Sequence, residues 1–486
     1  MENQKTKIIS IASIIALALT LVTATFAYFM AQTGEGKSTD IKINASTVDT
    51  LTFEAGSAIS LNLNQDNFAS GKGNQTGTTF AKAMLTANNK TNTATEHYYM
   101  YLNISENTFT YTQNESTPEL LLTIKDTSGN EITSITGLTH KTVTDGKGAS
   151  ISGFDITTKS GLITLFDNRE ITTTSSKTEK WNVTVTFVNY NANQAGNAGK
   201  SFSAKLMIQQ DKTRYDMICD ESKLACHVAK LYTGTQGKNS LYYHDSSLAN
   251  GAGDNSYRYA GASNSVNNYI CLGSDAATCP DANLFRIIGV FGAQTKIIRA
   301  KSVGNKQWNA SESNTWSSSS LNTYLNGEYL TSLGTLKNKI ATTTWKVGGG
   351  SWSNIVESVP KTAYKNEVGS SASSTTYGAK IGLMYVSDYY YSASPSAWTL
   401  VGYNESDATK DYRAATSTNW LYLGSTEWTI SRNSDHTIRA FTVYGVGNVN
   451  YGYVADSIAV RPSFNLLSSV TYASGSGTSS DPLRIN

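Results

Sequence analysis

A chain of 486 residues carries 39 Lys and Arg against 37 Asp and Glu, a net charge of +2 with histidine neutral. The length allows two or three domains with their own cores. The even balance argues against the concentrated basic face that nucleic-acid binding uses, so no nucleic-acid partner is expected. Only 16% of the residues are charged, and six prolines argue against a Pro-rich stalk.

Lys5 and Lys7 precede an uncharged run from Ile8 to Met30. At about 1.5 Å per residue this run spans roughly 34 Å, enough to cross a bilayer core. Residues 1–34 therefore read as a signal peptide cut after Ala27, or as a transmembrane anchor retained through residues 8–30. In both cases the basic flank stays in the cytoplasm and the remainder is sent outside.

From residue 38 to 210 the pattern is β. DIKINA, HYYMYLNI, ELLLTIKD, WNVTVTFVNY and SFSAKLMIQQ alternate apolar with polar residues or run β-branched, and Gly/Asn-rich turns separate them. Short strands so punctuated predict a β-sandwich. The ATFAYF motif after an apolar run, followed by a Thr/Asn-rich β-region, resembles the TasA/camelysin group of exported Gram-positive proteins. That resemblance covers about residues 1–210. It implies a biofilm-fibre subunit or cell-surface protein, and self-assembly by one subunit's strand completing the next.

Residues 215–486 read as an α+β unit. Leu224, His227, Val228 and Leu231 share helical spacing, and Gly234 closes that helix. NLFRIIGVFGAQTKIIRAKSV predicts a hairpin turning at Gly292. Residues 319–333 predict an amphipathic helix, and KIGLMYVSDYYY a buried strand running into a short turn or helix. All four cysteines fall here. Outside the membrane an even count predicts two disulfides, and sequence proximity favours Cys219–Cys226 and Cys271–Cys279. Zinc is the rival, but the spacings do not match Cys-x-x-Cys knuckles.

WLYLGSTEWTISR and AVRPSFNL resemble signatures of uncharacterised exported bacterial domains. The unit also resembles the C-type-lectin-like fold of formylglycine-generating enzymes and phage-receptor-binding variable domains. Trp428 would match the Trp-centred segment of that fold, Gly447-Asn448 the turn of its variable hairpin, and Arg461 the arginine of its closing strand. Arg461 and Pro462 interrupt a buried run, VADSIAVRPSFNLL. The reading is structural: Arg461 pins loop carbonyls, and Pro462 marks where the strand leaves its ladder. The alternative is a surface arginine on an edge strand.

Catalytic patterns do not emerge. No cysteine follows Cys279, which removes the late cysteine pair of the formylglycine-generating enzymes, and the calcium-ligating strings of lectins are missing. The five histidines are scattered, with no zinc or nucleophile-elbow motif. Asp245 and Asp254, in HDSSLANGAGDNS, lack the spacing of a calcium loop and read as a solvated loop. Neither a metal nor a cofactor is expected, and the chain is read as a non-enzyme.

What remains is a surface suited to binding. Between Tyr385 and Tyr453, tyrosines and tryptophans interleave with Ser, Gly, Asn and Thr, the composition of a paratope. Half of the tyrosines are expected in the core. Trp420, Trp428, His436, Arg439, Tyr444, Tyr451 and Tyr453 are the ligand-binding candidates, for an extracellular glycan or protein. The expected function is cell-surface binding or adhesion. The alternatives are a structural biofilm-matrix or fibre subunit and, more weakly, an unrecognised extracellular enzyme.

Overall fold

The computed structural model describes residues 49–63, 72–88, 92–114, 117–401 and 417–486. The leader, the DIKINA segment, Tyr403 and Tyr412 lie outside them. Among the described residues no helix is long and apolar enough to cross a membrane.

The first unit is built from β1 (Thr50–Ala55), β2 (Ile59–Asn62), β3 (Gln75–Thr86), β4 (Ala94–Asn107), β5 (Leu120–Lys125), β6 (His140–Thr144), β7 (Ser150–Asp155), β8 (Gly161–Thr173), β9 (Ser176–Phe187) and β10 (Ser201–Gln209). They form antiparallel sheets in the orders β1-β3-β9-β5-β7-β6 and β2-β10-β4-β8. Alternation places the core. Tyr98, Met100, Leu102 and Ile104 of β4 and Trp181, Val183, Val185 and Phe187 of β9 bury every second side chain in one shared cluster. This is a β-sandwich.

The second unit has a separate core, drawn from residues 224 to 483. Its strands are β11 (Leu241–His244), β12 (Ser256–Tyr259), β13 (Tyr269–Cys271), β14 (Leu284–Phe291), β15 (Gln294–Arg299), β16 (Asn305–Gln307), β17 (Thr343–Lys346), β18 (Thr376–Ala379), β19 (Glu427–Arg432), β20 (Arg439–Val443), β21 (Val449–Tyr453), β22 (Ser457–Ala459) and β23 (Ser463–Leu466), followed by a short closing pair. One sheet runs β11-β12-β14-β15-β23, with β13 also on β14. A second runs β16-β22-β19-β20-β21. The chain as a whole is mainly β.

The helix from Leu224 to Lys230 and the hairpin turn at Gly292 fall where the sequence predicts them. The 319–333 segment is helical from Ser320 to Ser332, with Ser319 accepting from Asn322 N as its cap, but its centre, Leu325–Tyr329, is a π-turn. Asn326 in that turn exchanges two hydrogen bonds with the backbone of Ile381, a long-range tie that local periodicity does not carry. Residues 381–385 are buried and extended but join a ladder only through the Gly382–Ser463 bridge, before the helix Val386–Ser392 begins.

The ends of the second unit lie side by side. Leu224 N donates to Val470 O, Tyr472 N donates to Ser222 O, and the His227 and Tyr472 rings stack at 3.6 Å. The two units meet at a pair of glycines. A Cβ on Gly292 (φ +62°) would lie 2.5 Å from Ser160 O, and one on Gly161 (φ +76°) would lie 2.7 Å from Ala293 N. Only residues without a side chain allow this approach. Nearby, Tyr101 Oη accepts from Thr213 N at 3.0 Å.

Candidate functional site

Both disulfides are formed with the expected pairing, Cys219–Cys226 and Cys271–Cys279.

A chain of charges crosses the centre of the second unit. Lys296 on β15 donates to Asp388 Oδ2 at 2.5 Å, and the same oxygen accepts from Tyr385 N at 2.8 Å. Asp388 Oδ1 lies 3.7 Å from Arg258 Nη1 on β12, and Arg258 Nη2 reaches Asp254 Oδ2 at 2.6 Å. Tyr364 Oη donates to that Asp254 oxygen. Rings enclose both cations: Phe291, Tyr364 and Tyr391 around Arg258, and Tyr385, Trp345 and Phe291 around Lys296. Asp254 is therefore no solvated loop residue. Asp245 keeps that character, closing a turn through Ser247 and Leu248.

Burial governs how these groups titrate. It draws the Lys296 ammonium below its ordinary value, while Asp388 opposes the shift. Burial pushes the Asp254 carboxyl upward, but the Arg258 guanidinium beside it prevails and brings it down to about 2. Glu367 is pushed up by burial, although Val386 N, Ser387 N and the Ser431 hydroxyl all donate to it. Asp388 and Glu367 thus cap the N-terminus of the Val386–Ser392 helix, and Lys296 and Arg258 tie that helix to the large sheet. Arg258, Lys296 and Asp388 are at most 5% exposed. With each cation facing a carboxylate, the chain of charges fixes this helix against the sheet.

Arg461 sits where the backbone passes from β22 in one sheet to β23 in the other. It is buried, not a surface residue on an edge strand. Its Nε and Nη2 grip the two oxygens of Glu427 at 2.7 and 2.5 Å, and Nη2 also reaches Leu421 O. A carboxylate is thus the main partner, with a single loop carbonyl beside it. Pro462 follows at the crossing, and its carbonyl accepts from Arg299 N.

The predicted ligand candidates divide. Trp420 and Trp428 are core residues: their indole N–H groups donate to Tyr259 O and Lys306 O, and neither ring is accessible. Tryptophan suits a core and a binding face equally well, so composition alone does not separate the two. Tyr385, Tyr389, Tyr390 and Tyr391 are likewise buried.

The β20–β21 hairpin and the turn that leads into it carry the other five. Four of the five exposed large apolar side chains among the described residues fall on it or next to it: Ile438 (39%), Tyr444 (42%), Val446 (52%) and Tyr453 (50%). Tyr444 and Val446 occupy the tip. At the base, Arg439 pairs in register with Tyr453, so their side chains share a face. The Arg439 guanidinium lies 4.2 Å from the Tyr451 ring and 4.8 Å from the Tyr453 ring, and Nη2 donates to Tyr453 Oη at 3.1 Å. His436 flanks Tyr451 at 6.1 Å. Trp352, which sequence reasoning did not select, packs edge-on against Tyr451 at 5.1 Å. Its backbone N–H is held by Asp435 from the turn before β20. Nothing local in SWSN pointed to this position, 99 residues from Tyr451.

A family model described as a domain of unknown function, DUF6273, matches residues 293–468. No curated protein matches the chain. The matched stretch contains the whole ring cluster and the Glu427–Arg461 pair. It holds only β15 and β23 of the β11–β23 sheet, so the folded unit extends beyond it on the N-terminal side.

Proposed function

We propose that this chain is an exported bacterial cell-surface binding protein with a non-catalytic recognition head. In this reading a leader directs the chain out of the cytoplasm, and a TasA/camelysin-like sandwich carries a C-type-lectin-like head. The head takes an extracellular glycan or protein ligand on the β20–β21 hairpin. The carrying observation is the concentration of exposed apolar side chains on that hairpin, since such patches mark interaction sites. The two disulfides support an oxidising, extracellular setting.

The test is binding of the labelled full chain to an array of glycans and host surface glycoproteins. Binding lost in a Tyr451→Ala/Tyr453→Ala variant of unchanged melting temperature supports the reading. Binding untouched by that variant, or no binding to any spot, counts against it.

A second reading, a fibre subunit of a biofilm matrix, draws on the sheet edges. β1, β6, β2 and β8 end their sheets among the described residues, and open edges are where strands are added. Fibres of the full chain in electron micrographs, with no ligand bound on the array, would favour it.

A further inference from the structure

We propose that the base of the β20–β21 hairpin is a site for a carboxylate-bearing sugar, with Arg439 as the anion contact and Trp352, Tyr451 and Tyr453 as the stacking surface. This rests on the reading of the hairpin as a recognition face and adds the class of ligand.

The argument begins with the charge. Two buried arginines of this unit face carboxylates, Arg258 with Asp254 and Arg461 with Glu427, while Arg286 spends its donors on Asn268, Ser263 and the Trp420 and Val266 carbonyls. Arg439 is partly buried and forms no ion pair among the described residues, and one of its five side-chain donors is used, toward Tyr453 Oη. Two nearby carboxylates accept from backbone groups and do not pair with Arg439. Asp435 Oδ2 accepts from Trp352 N and Asp456 Oδ2 from Tyr453 N. The guanidinium is held between two ring faces, and Trp352 supports one of those rings from the side. A planar fork so held has little rotational freedom left to lose, which suits bidentate contact with a carboxylate.

The surroundings select the rest of the ligand. Two rings flank the cation, and Trp352 and His436 pack against one of them, Tyr451, giving flat apolar area at small entropic cost. A pyranose offers C–H faces to such rings and hydroxyls to the tyrosine Oη groups. A sugar carrying a carboxylate on its ring therefore matches cation and rings together. Uronic acids and sialic acids share this chemistry.

The test is saturation-transfer NMR and titration calorimetry on the full chain with matched pairs. One pair is sialyllactose against lactose. The other is a galacturonate trisaccharide against its methyl ester. At least one acid form is expected to bind about tenfold more tightly than its neutral partner, the scale of one charge-assisted contact. Arg439→Gln is expected to abolish that preference, and Tyr453→Ala, at the exposed ring, to weaken binding of both members, with melting temperatures unchanged. The responding pair identifies the source, sialic or uronic. Equal binding of acid and neutral forms overturns the ligand class while leaving the recognition face intact. No saccharide binding, or Arg439-dependent binding of a poly-glutamate peptide instead, overturns it too. The array experiment with the two-tyrosine variant then decides separately whether the hairpin recognises anything.

Discussion

Arg461 closes a bidentate ion pair on Glu427, a residue with no exposed surface, at the point where the chain changes sheets. Truncating the arginine leaves a carboxylate buried without its counter-charge, the costly half of a buried pair. Arg461→Ala is expected to cost about 3–5 kcal/mol, read as a lowered midpoint in urea denaturation. The double replacement Glu427→Leu/Arg461→Met removes both charges and is expected to recover most of the loss. A double variant no more stable than the single one would show that the pair does not act through its charge.

The same logic applies to Lys296 and Asp388. Asp388→Asn keeps an acceptor for Tyr385 N but strands the Lys296 ammonium among Tyr385, Trp345 and Phe291. A loss of about 3–5 kcal/mol is expected. It should shrink as pH rises, because the stranded lysine escapes by losing its proton. Calorimetric melting at pH 7 and pH 9.5 checks this.

Acid sensitivity has a named source. His244 has no exposed surface and lies against Tyr391 and Trp398, with Nδ1 accepting from Ala252 N. Burial holds its imidazole down at about 3, against an ordinary 6.5. The unfolded chain takes a proton near 6.5 and the folded one does not. This contribution is therefore present in full above that pH and is lost as pH falls toward 3, by on the order of a few kcal/mol. Asp254 adds to the fall at its lower end, as pH drops from 3.8 toward 2. In His244→Phe, stability measured from pH 7 to 4 should decline less steeply than in the parent, even if the variant is weaker at pH 7.

Reduction should weaken the second unit and spare the first. Each disulfide closes a short loop and is expected to contribute about 2.5 kcal/mol, while the sandwich contains no cysteine. Melting with and without reductant should move the transition of the second unit alone. Intact mass before and after alkylation reports whether both bonds are present.

The paired glycines predict a rigid joint. In Gly292→Ala the new methyl would overlap Ser160 O, and the positive φ adds strain. The joint is expected to open, raising the radius of gyration in small-angle scattering while ring fluorescence of each unit stays the same.

Several of these features are legible in the sequence. The alternation in HYYMYLNI and WNVTVTFVNY placed both sandwich faces, because a half-buried strand must repeat every two residues. The two disulfides followed from proximity, and Gly292 from its place between two apolar runs. The charge pairs were not legible. Arg461 finds Glu427 34 residues away and Lys296 finds Asp388 92 away, separations that no local period records. Asp254 was hidden by its Gly- and Asn-rich neighbours, which look like an open loop. Trp420 and Trp428 misled because a large ring with one polar edge serves a core and a contact face alike.

Ser222 and Leu224, near the start of the second unit, are hydrogen-bonded to Tyr472 and Val470, and Asn486 N donates to Thr471 O between them. A module closed in this way leaves its host by the same doorway through which it came. It could be grafted between two neighbouring residues of an unrelated scaffold without stretching that scaffold, which suits it to transfer among chains as a cassette.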